Sequence, residues 1–344
     1  MNRNERLLQP IDPWTDHGVE IGALCRPVVP PSCKGVRYVD HLSTEELKVK
    51  YASDPNVDIN SLVPVSHIWD HRGLSPQPAP GSWDYVVASH VIEHVPDMIG
   101  WLRELAVRLK PGGIVSLAIP DKRWTFDCRR ELTSLSMLLE AHFEGWTRPS
   151  VRQCLDFHME AVNSSHKADG VRLWQGQVSF DKTGRTADEF PFSAGEQGLR
   201  EHARQIKAGT YIDSHCQTFT PGSFIRVLRE LGALNMVDFE VASFSDTMEG
   251  DGEFFVVLKK LPEGLSPAER RRRVDLSLPT VLPPLMDGEI LRLQREVQEL
   301  RAALQRQQQW AHRLTSSLAW RILAGVRRAL RSALGQLRNW PGRS

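Results

Sequence analysis

Short apolar runs and stretches of helical spacing take turns from residue 19 to residue 120, and that alternation constrains the fold more than any other feature of the chain. Runs of strand length stand at 19–24, 36–39, 65–69, 83–88 and 114–119. Between them, Ser43-Thr-Glu-Glu46 has the spacing of a capping box and opens a helix toward Tyr51. A second helix is expected over 96–109, where Met98, Leu102, Leu105 and Leu109 recur at helical spacing and Lys110-Pro-Gly-Gly113 stops it. Strands alternating with helices in this way specify an α/β fold: a doubly wound, mostly parallel sheet with helices on both faces.

Residues 121–219 break the rhythm. They are rich in His, Trp, Arg and Asp with weak periodicity, and helices are expected only near 131–143 and 150–164. The segment reads as an insertion over the ligand edge of the sheet. Order returns at Thr220-Pro221, an N-cap followed by proline in the first turn, which starts a helix running to Leu231 and ending at Gly232. Strands at 237–244 and 253–259, joined by the turn-rich 246–252, read as an antiparallel hairpin closing the sheet.

Beyond it the composition shifts. Pro262, Pro267, Pro279, Pro283 and Pro284 mark 261–286 as a linker. Ile290, Leu293, Val297, Leu300, Leu304, Ala311 and Leu314 then follow three- and four-residue steps, interrupted only at Gln307, so 287–316 is expected to form a coiled coil. Residues 317–344 form an Arg-rich amphipathic tail. The net charge of +1 hides this asymmetry: nine arginines and no Lys, Asp or Glu lie in 300–344, which leaves −8 on residues 1–299. The expected order is therefore a leader at 1–14, a domain at 15–260 that includes the insertion, the linker, the coiled coil and the tail.

At 41% hydrophobic and 25% charged, the chain is not collagen-like, wholly disordered or a small disulfide-stapled domain. Its five cysteines are scattered with no CxxC pair, so neither a disulfide framework nor a zinc site is indicated. The first residues, MNRNERLLQPIDPW, lack the apolar core of a signal peptide. No apolar run is long enough to span a bilayer. A cytoplasmic protein is expected.

One set of residues in the sheet region carries chemistry. It comprises Val19-Glu20-Ile21-Gly22-Ala23, Asp40 and Asp70 at the ends of strands, Asp84-Tyr-Val-Val-Ala-Ser89-His90-Val-Ile-Glu93-His94, and Leu109-Lys-Pro-Gly-Gly-Ile114. Together they resemble class I S-adenosylmethionine-dependent methyltransferases over residues 15–125, with the hairpin matching the antiparallel end of that family's sheet. The first loop, Glu20-Ile-Gly22-Ala-Leu24-Cys-Arg26-Pro27, has one glycine where the family has Glu-x-Gly-x-Gly-x-Gly. The resemblance implies a Rossmann-like fold with S-adenosylmethionine at the carboxyl ends of the strands. It places Glu20 near the methionine amino end, and Ser89 and His90 near the cofactor. Gly22 would let the backbone approach the ligand, Asp40 would accept the ribose hydroxyls and Asp70 the adenine amino group. An acidic body also suits a cationic sulfonium.

The acceptor side is less determined. His94, Asp121, Asp127 and His215 are the candidates for taking a proton from an acceptor hydroxyl, with His158 and His166 also in the insertion. No ligand spacing demands a metal, and none is expected. In the tail, Ser317-Leu-Ala-Trp320-Arg321 followed by Arg327-Arg328 resembles segments that follow coiled coils in bacterial glycosyltransferases and methyltransferases of surface-polysaccharide assembly. The implied reaction is O-methylation of a glycan or sugar-like acceptor. The alternatives are methylation of another small molecule, such as a lipid or quinone precursor, and a non-catalytic scaffold docking partners. The coiled coil implies self-association or a partner protein, and the tail implies peripheral contact with the inner face of a membrane. Nucleic-acid binding is not expected, because no reader fold accompanies the arginines.

Overall fold

The computed structural model describes residues 2–162, 173–174, 195–248 and 250–280, with scattered positions between 296 and 330. Its strands are β1 Gly18–Ile21, β2 Val36–Asp40, β3 Val65–Asp70, β4 Gly73–Ser75, β5 Trp83–Ser89, β6 Leu109–Pro120, β7 Phe239–Ser245 and β8 Glu253–Lys260. Its helices are α1 Arg3–Leu8, α2 Thr44–Lys50, α3 Met98–Arg108, α4 Leu135–Phe143, α5 Val151–Glu160, α6 Gly195–Lys207, α7 Pro221–Ala233 and α8 Pro267–Ser277.

The strands form one sheet in the order β4-β3-β2-β1-β5-β6-β8-β7. Strands β3, β2, β1, β5 and β6 are parallel, and β4, β8 and β7 pair antiparallel. This is the Rossmann-like sheet that the alternation predicted, with the hairpin at its end. From β1 the chain winds outward to β2 and β3, then crosses back to place β5 on the other flank of β1, which makes that junction the topological switch point.

Alternation along the central strands builds a core on each face. Val86 and Ala88 of β5 and Val115, Leu117 and Ile119 of β6 face one core, shared with Met98, Leu102 and Leu105 of α3 and Phe224, Val227 and Leu231 of α7. Tyr85 and Val87 face the smaller one, with Leu7 of α1, Val28, Val29 and Tyr38.

Several boundaries differ from the sequence reading. β1 stops at Ile21 rather than residue 24, because Gly22 at φ +73° and Leu24 at φ +47° turn the chain. Lys110-Pro-Gly-Gly113 is not a loop: it ends α3 and also begins β6, whose Leu109 pairs with Trp83. The short edge strand β4 and helix α6 were not foreseen, and α5 ends at Glu160, where Ala161 turns extended.

Two larger corrections sit at the ends of the domain. Residues 1–14 are not a bare leader. Asn2 and Glu5 cap α1 reciprocally, Leu7 is fully buried, and its carbonyl accepts a 2.8 Å bond from Ser116 Oγ. Nor is 261–286 a linker throughout. Ser266 and Glu269 form a capping box, Pro267 occupies the first turn, and α8 buries Val274 against α7. Arg273 pairs with Glu240 at 2.9 Å, and Val241 N donates to Ser277 Oγ at 2.9 Å.

The chain divides at Pro283–Pro284 into two units. Most of the expected coiled coil 287–316 and tail 317–344 lies outside the described residues. The described positions there, such as Val297, Leu300, Leu304 and 325–330, are helical and exposed. Among the described residues no helix is long and apolar enough to cross a membrane.

Candidate active site

Parallel strands end on one edge of a sheet, so Ile21, Asp40, Asp70, Ser89 and Pro120 all arrive at the same rim. β8 runs the other way, and its first residue, Glu253, pairs with Pro120 and therefore reaches that rim too.

The first loop is shaped from inside. Glu20 is 2% exposed, and its two carboxylate oxygens accept Val28 N at 2.7 Å and Val29 N at 2.8 Å. Burial pushes its pKa up to about 7 against these bonds and the field of Arg3. Glu20 therefore folds the loop back on itself, and both its oxygens are engaged by the loop's own amides. The positive φ favours glycine at position 22, and a Cβ there would meet Val91 Cγ2 at 3.0 Å. The turns after β1 and β5 thus touch at the switch point.

Asp40 is buried at the end of β2. Its Oδ1 accepts His41 N at 2.7 Å and lies 2.6 Å from His41 Nδ1, which leaves Oδ2 without a partner among the described residues. A buried acceptor with a vacant oxygen fits a ribose hydroxyl. Asp70 is held by Arg72, with Nε at 2.9 Å and Nη2 at 2.5 Å, and this bond draws its pKa below the usual carboxylate range. It sits at the rim, but its first commitment is to the β3–β4 turn.

Ser89 and His90 meet a network invisible in the linear order. Glu253 Oε1 lies 2.6 Å from Arg3 Nε, Glu253 Oε2 lies 2.8 Å from His90 Nε2, and the Arg3 guanidinium also donates to Ser89 Oγ. His90 takes a positive φ of 53°, and its amide donates to Ala118 O, so α1, β5, β6 and β8 share one polar junction. Burial lowers the His90 pKa, but Glu253 and Glu93 outweigh it and raise it overall.

The acceptor side is assembled by the returning strand of the insertion. Cys216 N and Gln217 N donate to the Glu93 carbonyl at 2.6 and 3.0 Å, pinning 216–217 across the turn after β5. This brings Glu93, His94 and His215 together, with one ligand-capable atom from each within 4.8 Å of the others. The two imidazoles meet edge to face, 4.6 Å between centroids. Each is oriented through Nδ1: His94 by Asp213 at 3.0 Å, His215 by Asp127 at 2.6 Å. Arg130 is buried and holds this frame, bonding Asp127 at 2.9 Å and the His215 carbonyl at 2.7 Å. For His94, burial is outweighed by Asp213 and the pKa is raised. Both aspartates stay below their ordinary values, because the histidine bonds overcome burial.

Glu93 is the unexpected member. It is 1% exposed, and among the described residues neither carboxylate oxygen has a hydrogen-bond partner. Of the proposed proton acceptors, His94 and His215 come together and Asp127 orients one of them. Asp121 does not join them. It is 0% exposed and bound to Arg123 at 2.6 Å and Thr247 Oγ1 at 2.8 Å, so it is structural. His158 packs edge-on against His202 and Phe157 instead, and His166 lies outside the described residues.

A family model described as a methyltransferase domain matches residues 23–236. The chain belongs to this methyltransferase family. It is an enzyme, and S-adenosylmethionine is its methyl donor. No curated protein matches it. Solved structures similar to this methyltransferase include a SAM-dependent methyltransferase from Methanosarcina mazei at 14% identity, covering 75% of this chain and 98% of that one, with a TM-score of 0.37. Another, from Mesorhizobium loti, has 12% identity, coverage of 75% and 99%, and a TM-score of 0.36. At these TM-scores the likenesses carry no argument, so the assignment rests on the family model. The methyltransferase edge described above, with Gly22 opening the backbone and Asp40 offering a vacant oxygen, fits that donor.

Proposed function

We propose that this methyltransferase transfers the donor's methyl group to an oxygen of a glycan or sugar-like acceptor. The observation that carries the reading is the cluster of Glu93, His94 and His215, oriented by Asp213 and Asp127 beside the cofactor rim. A hydroxyl must lose a proton as it becomes an ether, and this is a set of positioned groups able to receive one. The aromatic rings of Phe126 and Phe157, 4.8 and 5.2 Å from the His215 ring, wall the polar cluster. The tail segment Ser317-Leu-Ala-Trp320-Arg321 supports the polysaccharide setting.

The chemistry supplied by the donor is an electrophilic methyl carbon on a sulfonium. Held at the rim by the Gly22 turn and Asp40, the donor would supply that carbon, and the new C–O bond would form as the C–S electron pair returns to sulfur. The hydroxyl proton passes to the cluster and then to water. The rim residues align the two reactants.

The aromatic rings also favour a second reading, a phenolic or lipid-like acceptor such as a quinone precursor. Calorimetry with S-adenosylhomocysteine, followed by a tritium-transfer screen over glycan and phenolic acceptors, separates the two. Label entering a saccharide acceptor, with loss of transfer in His215→Ala but retained S-adenosylhomocysteine binding, is the expected result. Label entering only phenols or lipids would overturn the sugar reading.

A further inference from the structure

We propose that Glu93, His94 and His215 form a binding site for a divalent transition-metal ion. Two observations point there independently. The first is the carboxylate: among the described residues both oxygens of Glu93 are buried without a hydrogen bond, and His90 Nδ1, its ion-pair neighbour, stands 3.6 Å from Oε1, beyond hydrogen-bond reach. A carboxyl group kept from water without a hydrogen bond is costly for a fold to hold. A cation removes that cost.

The second is the way the histidines are held. Each gives its Nδ1 to an aspartate, Asp213 for His94 and Asp127 for His215, which leaves both Nε2 atoms to bind elsewhere. Metal-bound histidines are characteristically buttressed in this way, because the outer carboxylate fixes the tautomer and raises the basicity of the ligating nitrogen. Asp127 is itself locked by the buried Arg130. Such bracing suits a fixed coordination geometry.

The donor set decides the class of ion. Two imidazole nitrogens and one carboxylate oxygen suit zinc, iron(II), cobalt(II) or manganese(II), whereas magnesium and calcium prefer all-oxygen sites. Three protein ligands leave coordination positions open. The proposal deepens the acceptor reading above: an acceptor hydroxyl in an open position would become more acidic by coordination. Metal uptake itself does not depend on the acceptor.

The test uses the full-length protein stripped with a chelator and titrated with cobalt(II), followed by its visible d–d bands, then by competition with zinc. The expected result is uptake of one ion per chain, with bands displaced by zinc. His94→Ala removes a half-exposed ligand and should cost least in folding. Both it and Glu93→Gln should weaken uptake by at least about a hundredfold, and Asp127→Asn by about 10- to 100-fold. S-adenosylhomocysteine binding, measured by calorimetry on each variant, should stay within a few-fold of the parent. Absence of cobalt bands in the parent protein would overturn the proposal. So would bands persisting unchanged in folded His94→Ala, which would mark an adventitious surface site. If the stripped enzyme binds no metal yet still methylates a saccharide at full rate, the metal site fails and the acceptor reading stands. If metal binds but no saccharide is labelled, the reverse holds.

Discussion

Gly22 is the residue on which the proposed cofactor site can be tested most sharply. Its φ of +73° is unfavourable for a side chain, and a Cβ would press on Val91 at 3.0 Å. Gly22→Val should therefore abolish S-adenosylhomocysteine binding while circular dichroism shows a retained fold; normal binding would remove the first loop from the site. Asp40→Ala should weaken the same ligand by about ten- to a hundredfold in calorimetry, the value of a charge-assisted hydrogen bond of about 1.5–3 kcal/mol. Glu20 makes a pH prediction. Its folded pKa of about 7 lies above the ordinary 4.5, so the fold favours the protonated form. Its contribution is present below about pH 4.5 and lost as pH rises through 7. Stability relative to Glu20→Gln should fall across that window by up to about 3 kcal/mol in urea titrations. A rise instead would mean that the Val28 and Val29 amides outweigh burial. The turn at Gly22 and the strand-end position of Asp40 were legible because backbone freedom and a strand-end acid show in the linear chain. The inward turn of Glu20 was not, since its partners are set by the loop's path.

At the scale of elements, α8 shows how local signals compete. Ser266-Pro267-Ala-Glu269 is a helix start, yet the flanking prolines read as a linker. What decides is a surface for the helix to cover, and Gly232 of α7 provides it. A Cβ on Gly232 would meet Val274 Cγ1 at 2.5 Å. Gly232→Ala should thus destabilise the fold by about 1–3 kcal/mol, despite alanine's better helix propensity. Adding Val274→Ala should restore part of the loss, and a thermal-melt double-mutant cycle measures the coupling. Additive losses would show that the two helices do not share this contact. The strands β5 and β6 were legible because burial on both faces leaves nearly continuous apolar runs. The edge strand β4 has three residues and no such signature.

For the molecule as a whole, the division at Pro283–Pro284 separates the methyltransferase from the heptad and tail segments. Deleting 286–344 should leave S-adenosylhomocysteine binding intact, because few contacts cross such a boundary. The apolar heptad stripe should make the full-length chain self-associate in light scattering. The tail arginines, each worth about 1 kcal/mol near an anionic leaflet, should carry it down with anionic vesicles. If the full-length and truncated forms are both monomeric and neither sediments, the tail is neither an oligomeriser nor a membrane tether.

The alternation of apolar runs determined the Rossmann-like sheet from sequence alone, and with it the common rim at which the strand-end acids and the loop glycine stand. Those features depend on residues close together in the chain, or on the common edge that parallel strands share. The acceptor side was decided only in three dimensions. Glu93 and His215 are 122 positions apart in numbering, and Arg3 reaches Glu253 across nearly the whole domain. Asp121 and Asp127 look alike in sequence, but one is consumed by Arg123 and Thr247 while the other orients His215. Whether a polar residue is available or committed depends on which long-range neighbour reaches it first, and periodicity and spacing carry no record of that.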